Sequence, residues 1–534
     1  MATVILPTVA RVGQVEQERA EVDLLVLGGG GAGLTAARAG CALGARIMVV
    51  TEAGTDRQGV WTETLPLRAL VGAALTGASF AEVTARVREV RARTVPVARA
   101  QGLRRQGIDV RSGSPRFLGS SGGAVEVLVT DPAVTATSAL LVRARRVVVA
   151  TGTVPRRPQV SGIEEVRVLF PQDLLDLPDL PHSLVVLGGG ATGCELAQAF
   201  ARLGTKVTLV EARPRLLSRE EPEGGAAVEA ALVRDGVRVL TGATVTALAP
   251  TLDDGAWVGT DVGEDVAATH LVLATGRAPA TVRLSLDAVG VLVTTTGAIR
   301  VDRWLRTTHP AIFAAGGVTG LAVHGHGSHA MGLDAARSAL RRGGRRWPAR
   351  RGRRPGWPWE AAGLPRVTFT DPPVAGVGLR EADAVARPGT LVCPFPTVRT
   401  GAGVLSARSD TLVKIVVGRS RLGLSGTRPV ESGPVLGACV VGPGAGDVIA
   451  ELALAVRLQL PARVLAELPH AFPTWSLGVP EALTQLFADD GELRVRPAGM
   501  PDPRFATQPE VPAVRGRTRS RGGRTRPGDR VGTG

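Results

Sequence analysis

Six glycines in two matched sets carry the first legible chemistry of this 534-residue sequence. Gly28, Gly30 and Gly33 stand in G-x-G-x-x-G spacing inside VDLLVLGGGGAGLTAARAGCALGARIMVVTE, Val22 to Glu52. Gly28 permits a tight turn, Gly30 lets backbone approach a pyrophosphate, and Gly33 lets a helix pack close to a strand. The N-terminus of that helix offers free N–H groups and a positive dipole end to phosphates. Glu52 ends the second apolar run, where a carboxylate can bond a ribose hydroxyl. The pattern recurs in SLVVLGGGATGCELAQAFARLGTKVTLVE, Ser183 to Glu211, with Gly188, Gly190, Gly193 and Glu211 at matching positions. Two such units point to two dinucleotides, since each unit can hold one.

Each glycine set needs a strand, a helix and a second strand to aim it. The apolar runs Leu24–Leu27 and Ile47–Val50 flank a helix-forming stretch, and the second unit has the same layout. Two small-residue runs, VVVATGTVP ending at Pro155 and LVLATGRAP ending at Pro279, imply backbone passing close to a ligand at Thr151, Gly152 and Gly276. Helical periodicity covers Phe80 to Leu103, and helices are expected near Ser328–Leu340 and Asp447–Leu458. RSALRRGGRRWPARRGRRPGWPWE, Arg337 to Glu360, is too rich in Arg, Gly and Pro for a packed element. The expected domains are a first dinucleotide domain at 20–157 and 285–343, a second inserted at 158–284, a linker at 344–364, a C-terminal domain at 365–490 and a disordered basic tail at 491–534.

Composition narrows the class without naming a function. Hydrophobic residues make up 44% of the chain and aromatics 3%, with no tyrosine, so Val, Leu and Ala must build the cores. Arg so outnumbers Lys that Lys206 and Lys414 are the two lysines. The formal charge of +15 is concentrated partly in runs at Arg341–Arg354 and Arg515–Arg530. No aromatic stacking set accompanies them, so nucleic-acid binding is not expected and a solvated linker and tail is the better reading. Cys41, Cys194, Cys393 and Cys439 show neither C-x-x-C nor other metal-ligand spacing, and read as small, reduced, buried residues with no metal site. No run is long enough to span a bilayer, and the expected location is the cytoplasm.

The order of motifs resembles the pyridine nucleotide-disulfide oxidoreductase family, nearest in pattern to dihydrolipoamide dehydrogenase and mercuric reductase. The resemblance runs from Val22 to Leu486 and rests on VLGGGGAG, VVATG, VLGGGATGCELAQ, LATGRAP, VDRWLRTTHPAIFAAGG, VTFTDPPVAGVGLREADA and ELALAVRLQL. It implies an α/β fold with two Rossmann-like domains, for FAD and for NAD(P), plus an α+β C-terminal domain that pairs two subunits into a homodimer. By resemblance, Gly28, Gly30, Gly33, Glu52, Thr151 and Gly152 would hold FAD. Gly188, Gly190, Gly193, Glu211 and Gly276 would hold NAD(P), with NADH favoured because Glu211 repels a 2′-phosphate; Arg213 and Arg215 nearby weaken that preference.

Three departures from the family pattern carry more information than the matches. The family's redox cysteines, in a run like C-x-W-T-G-C-V-P-S-K, fall at Gly59 and Thr64, so no disulfide forms there. The lysine of that run falls at Arg68 and its glutamate partner at Glu195, a pair that would tune the flavin or serve as a buried structural ion pair. The family's H-P-T-x-x-E dyad is replaced by FPTWSL, with Phe472 and Leu477 at the two positions; His470 matches an earlier residue and is not the base. Thr64 and Phe472 either line the space left by the lost thiols or simply pack. The aspartate of A-x-G-D falls at Gly317, removing a bond to the ribityl chain of FAD. His326 matches a helix-entry histidine with an expected capping role.

Two readings of function follow. The first is an FAD-dependent NAD(P)H oxidoreductase that passes electrons from NADH to a small non-disulfide acceptor: a quinone, a dye, oxygen or a second nicotinamide. The alternative is a catalytically degenerate paralogue that binds a nucleotide or a partner.

Overall fold

The computed structural model describes residues 17–52, 63–98, 100–130, 139–253, 255–321, 325–340, 363–419, 433–487 and 495–500. The apolar run before the first glycine set belongs to a strand, Gln17–Leu27, longer than its apolar core alone implies. It pairs in parallel with Ile47–Thr51 on one side and with Ala139–Val149 on the other. Asp109–Ser112 extends the parallel edge, and Ile312–Ala314 joins beside Ala139–Val149. Ala124–Thr130 and Ser114–Ser121 continue the same sheet as an antiparallel meander. Leu24, Leu25, Val26 and Leu27 are all fully buried, as expected for a strand covered on both faces. The helix Gly31–Ala42 follows the glycine turn and packs against the helix Gly325–Leu340. A Cβ on Gly332 would lie 2.1 Å from the Ala32 carbonyl oxygen, so only glycine permits that crossing.

The second unit is a five-stranded parallel sheet in the order Arg238–Thr241, Lys206–Glu211, Ser183–Leu187, His270–Leu273, Val168–Leu169. An antiparallel three-stranded sheet, Val245–Pro250, Ala256–Thr260 and Val266–Ala268, covers one side of it. The two modules are joined where Thr153–Pro155 pairs antiparallel with Arg277–Pro279. Both small-residue runs of the sequence therefore end in this one ribbon.

The C-terminal domain is a six-stranded antiparallel sheet covered by the helix Ala445–Leu458 and shorter helices. Of the tail expected to be disordered from residue 491, residues 495–500 are described, and part of them is folded. Arg496–Pro497 pairs with Leu391–Val392, and Arg496 is ion-paired with Glu381. The helical stretch expected over Phe80–Leu103 is two helices, Phe80–Ala98 and Ala100–Arg104. The expected linker at 344–364 and the position matching the first redox cysteine, Gly59, lie outside the described residues, Gly363 and Leu364 excepted.

Candidate active site

The three glycines of each loop differ in what surrounds them, as their separate duties require. Gly28 has φ +115°, and a Cβ there would lie 2.2 Å from the Ala150 carbonyl oxygen. A Cβ on Gly33 would meet the Gly28 carbonyl oxygen at 1.9 Å, so the helix start and the turn touch backbone to backbone. Above Gly30 there is nothing within 4 Å: this side of the loop is open to a ligand. Gly188, Gly193 and Gly190 repeat this arrangement, with approaches of 2.6 Å to Ala274 O, 1.8 Å to Gly188 O, and open space. Both turns are held the same way, by Gly28 N–H to Val50 O and Gly188 N–H to Val210 O, each 2.8 Å.

A cavity of about 710 Å³ is lined by the first loop and by residues of both dinucleotide modules. Gly28, Gly30, Glu52, Thr151 and Gly152 line it, while Gly33 lies beneath the loop. Gly276 lines the same cavity although it closes the second module, because the Thr153–Pro155 and Arg277–Pro279 ribbon brings it there. Gly188, Gly190, Gly193 and Glu211 are not on this wall. Glu52 accepts from Ser114 Oγ at 3.3 Å. Glu211 accepts from the Gly189 N–H at 2.6 Å and the Arg213 N–H at 2.8 Å, which fixes its carboxylate across the second loop.

At the other end the cavity is closed by Thr64, Leu67, Arg68, Glu195 and Leu196. Arg68 lies on the helix Leu65–Leu75 and Glu195 on the helix Ala191–Arg202, and their charged atoms meet at 2.5 Å. Glu195 is 4% exposed, and it also accepts from the Phe369 N–H at 2.7 Å. The Arg68 guanidinium lies 4.3 Å from the Phe369 ring centroid. Burial pushes the Glu195 carboxyl above its ordinary value, against the pull of Arg68. The pair thus joins three segments of the chain and also faces the cavity.

Thr64, where the resemblance expects the second thiol, lines the cavity. All four cysteines are free, and none of them lines the cavity. Burial raises the thiol pKa of Cys194, Cys439 and Cys393, the last to about 12. Among the described residues no group of three potential metal ligands occurs. Phe472 is 78% exposed and does not line the cavity. His470 bonds Glu451 at 3.0 Å and the Leu468 carbonyl at 2.9 Å. His326 stands in the first turn of the helix Gly325–Leu340 and donates from Nε2 to the Pro365 carbonyl at 2.7 Å, a bond to distant backbone.

Three further wall residues form a connected chain that sequence reasoning passed over. Arg277 donates from Nε to Thr153 Oγ1 and from Nη2 to Thr153 O, both at 2.8 Å. Its Nη1 donates to Glu63 Oε1 at 3.1 Å. Thr153 in turn occupies the space beside Gly317, where an added Cβ would lie 2.8 Å from Thr153 Cγ2. Glu63 stands one residue before Thr64, and nothing in its spacing sets it apart from a loop acid. Arg277 and Thr153 gave no sequence signal of their partnership, being 124 residues apart.

The open face above Gly30, the helix start that lines the cavity and the cavity itself fit a dinucleotide such as FAD, while beside Gly317 the Thr153 methyl group leaves no room for a Cβ. Residues 22–343 match the family model described as pyridine nucleotide-disulphide oxidoreductase, and residues 364–483 match that family's dimerisation domain. A mercuric reductase of Streptomyces lividans is 34% identical over 66% of this chain and 70% of its own length. A dihydrolipoyl dehydrogenase of Geobacillus stearothermophilus is 29% identical over 85% of this chain and 94% of its own. Among solved structures, LpdA from Mycobacterium tuberculosis superposes with a TM-score of 0.75 at 26% identity, covering 88% of this chain and all of that one (100%). With two glycine loops, a shared cavity and both family domains in place, this chain belongs to the pyridine nucleotide-disulphide oxidoreductase family, FAD-dependent oxidoreductases of the dihydrolipoyl dehydrogenase and mercuric reductase type.

Proposed function

We propose that the protein is an FAD-dependent NADH oxidoreductase that delivers electrons to a small acceptor other than a disulfide. The observation that carries this reading is the cavity itself: it runs from the first glycine loop to Thr64, Arg68 and Glu195, and no cysteine lines it. The loop Gly28–Gly31 and the helix start would hold the FAD pyrophosphate, and Glu52 the ribose. FAD supplies a two-electron carrier between nicotinamide and acceptor; the protein orients the rings and excludes water. Arg68 and Glu195 fix the closed end and set the charge there. Glu211, held across the second loop by two backbone N–H groups, favours NADH over NADPH. Dimer formation is supported by the matched dimerisation domain and by the exposed Val404, Leu405, Leu454 and Leu458 on it.

A second reading, a degenerate nucleotide- or partner-binding paralogue, is favoured by Gly317, where the resemblance expects an acid and the Thr153 methyl group crowds the place of a Cβ. The two separate on one measurement. The absorbance spectrum of the purified protein is recorded anaerobically before and after NADH. Yellow protein bleached by NADH supports the oxidoreductase; colourless folded protein, or a flavin that NADH leaves oxidised, removes it in favour of the paralogue.

A further inference from the structure

Among the described residues three carboxylates line the cavity, and two are committed elsewhere. Glu52 stands at the first glycine loop, bonded by Ser114. Glu195 is tied to Arg68 and to the Phe369 N–H. The third, Glu63, stands beside Thr64, where the family's thiol would be, and its side chain is 14% exposed. Its partner Arg277 is locked to both the hydroxyl and the carbonyl of Thr153. The carboxyl is therefore placed on the wall by a rigid ribbon rather than left on a free side chain.

We propose that Glu63 is the proton donor of the electron-delivering half-reaction, and that the acceptor is a neutral quinone released as its hydroquinone. This rests on the oxidoreductase reading above. A quinone takes up two electrons and two protons. The electrons and one proton originate in the hydride surrendered by NADH. The Glu63 O–H bond breaks as the remaining O–H bond of the hydroquinone forms, and solvent, which still reaches this 14% exposed side chain, returns a proton to the carboxylate. The sum is NADH, one proton and quinone giving NAD⁺ and hydroquinone.

Burial holds the Glu63 carboxyl above its ordinary value, outweighing the attraction and hydrogen bond of Arg277, and the negative charge of Asp173 pushes the same way. Such a carboxyl keeps its proton closer to neutral pH, where a general acid works best. Arg277, 3.1 Å away, then stabilises the carboxylate left behind. The other charged groups at this end, Arg68 and Glu195, are paired with each other. A one-electron acceptor such as ferricyanide takes no proton and has no need of Glu63.

The test compares wild type with Glu63→Gln and Glu63→Asp in three measurements. Without turnover, the absorbance of the bound flavin is titrated between about pH 4 and 9: the wild type should show a carboxyl-linked transition that Glu63→Gln lacks. In turnover with NADH, the ratio of benzoquinone to ferricyanide rates should fall by roughly 10²-fold in Glu63→Gln, the low end of general-acid contributions, and recover in Glu63→Asp. The pH dependence of the quinone rate should disappear in Glu63→Gln. An unchanged rate ratio with an unchanged pH profile overturns the proposal while leaving the oxidoreductase reading intact. A wild-type flavin that NADH does not bleach overturns both.

Discussion

Gly317→Asp supplies the acid that the resemblance expects there, yet this structure argues that the single substitution fails. An added Cβ would lie 2.8 Å from Thr153 Cγ2, closer than carbon atoms approach without something moving. Thr153 cannot simply turn, because its hydroxyl takes the Arg277 Nε–H at 2.8 Å and its carbonyl takes Nη2–H. A carboxylate bond to a ligand hydroxyl contributes about 1.5–3 kcal/mol, and breaking the charged Arg277–Thr153 bond costs about as much. The two nearly cancel in Gly317→Asp, so its flavin affinity should stay within about tenfold of wild type. Removing the obstructing methyl group separates the terms. Gly317→Asp with Thr153→Ala should bind flavin about ten- to a hundredfold tighter than Thr153→Ala alone. Apo-proteins titrated with FAD, read by quenching of flavin fluorescence, give the four dissociation constants of the cycle. Independent effects of the two substitutions would refute the steric argument, since residues in contact must couple.

Other expectations follow from the same coordinates. Lys414 is 2% exposed and its Nζ lies 2.7–3.0 Å from Glu381, Glu223 and Glu221, so Lys414→Met takes the shared cation from Glu221 and Glu223 and leaves Glu381 with Arg496. A loss on the order of 3–5 kcal/mol in denaturant unfolding is expected, and a loss under about 1 kcal/mol would contradict it. Gly33→Ala, whose Cβ would meet the Gly28 carbonyl oxygen at 1.9 Å, should lower the melting temperature of the apo-protein, whereas Gly30→Ala should leave it unchanged and weaken flavin binding alone. Alkylation with N-ethylmaleimide should not alter bleaching of the flavin by NADH, because no cysteine lines the cavity; inactivation on modification of Cys41 would show otherwise.

Acid should loosen the joint between the second dinucleotide module and the C-terminal domain. Burial alone would raise the Asp371 carboxyl, but hydrogen bonds from Arg408 and Arg202 bring it below its ordinary value. Glu381 is lowered in the same way by Arg496 and Lys414, against its burial. A carboxylate lowered in the folded state contributes stability above its unfolded pKa, about 4, that is lost as pH falls through the folded value. Asp371→Asn should flatten the decline in melting temperature below about pH 4, and an unchanged slope would count against the assignment.

By itself the sequence determined the two glycine loops, their flanking strands and helices, and the family to which their order belongs. These are local facts: turn geometry, apolar periodicity and residue identity at fixed spacing act within about 30 residues. Even the extra length of the Gln17–Leu27 strand and the folding of Arg496–Pro497 escaped it, because a charged edge such as QERAEV and the pair Arg496–Pro497 are recruited into sheets by pairing partners more than 100 residues away. What only the tertiary structure decided is the character of the site. Gly317 reads in sequence as a missing anchor, and in space as the gap that Thr153 fills. Glu63 reads as an ordinary loop acid until the ribbon of Thr153–Pro155 and Arg277–Pro279 sets a guanidinium against it. Burial and partnership fix what a carboxyl does, and both arise from segments that meet only when the chain has folded.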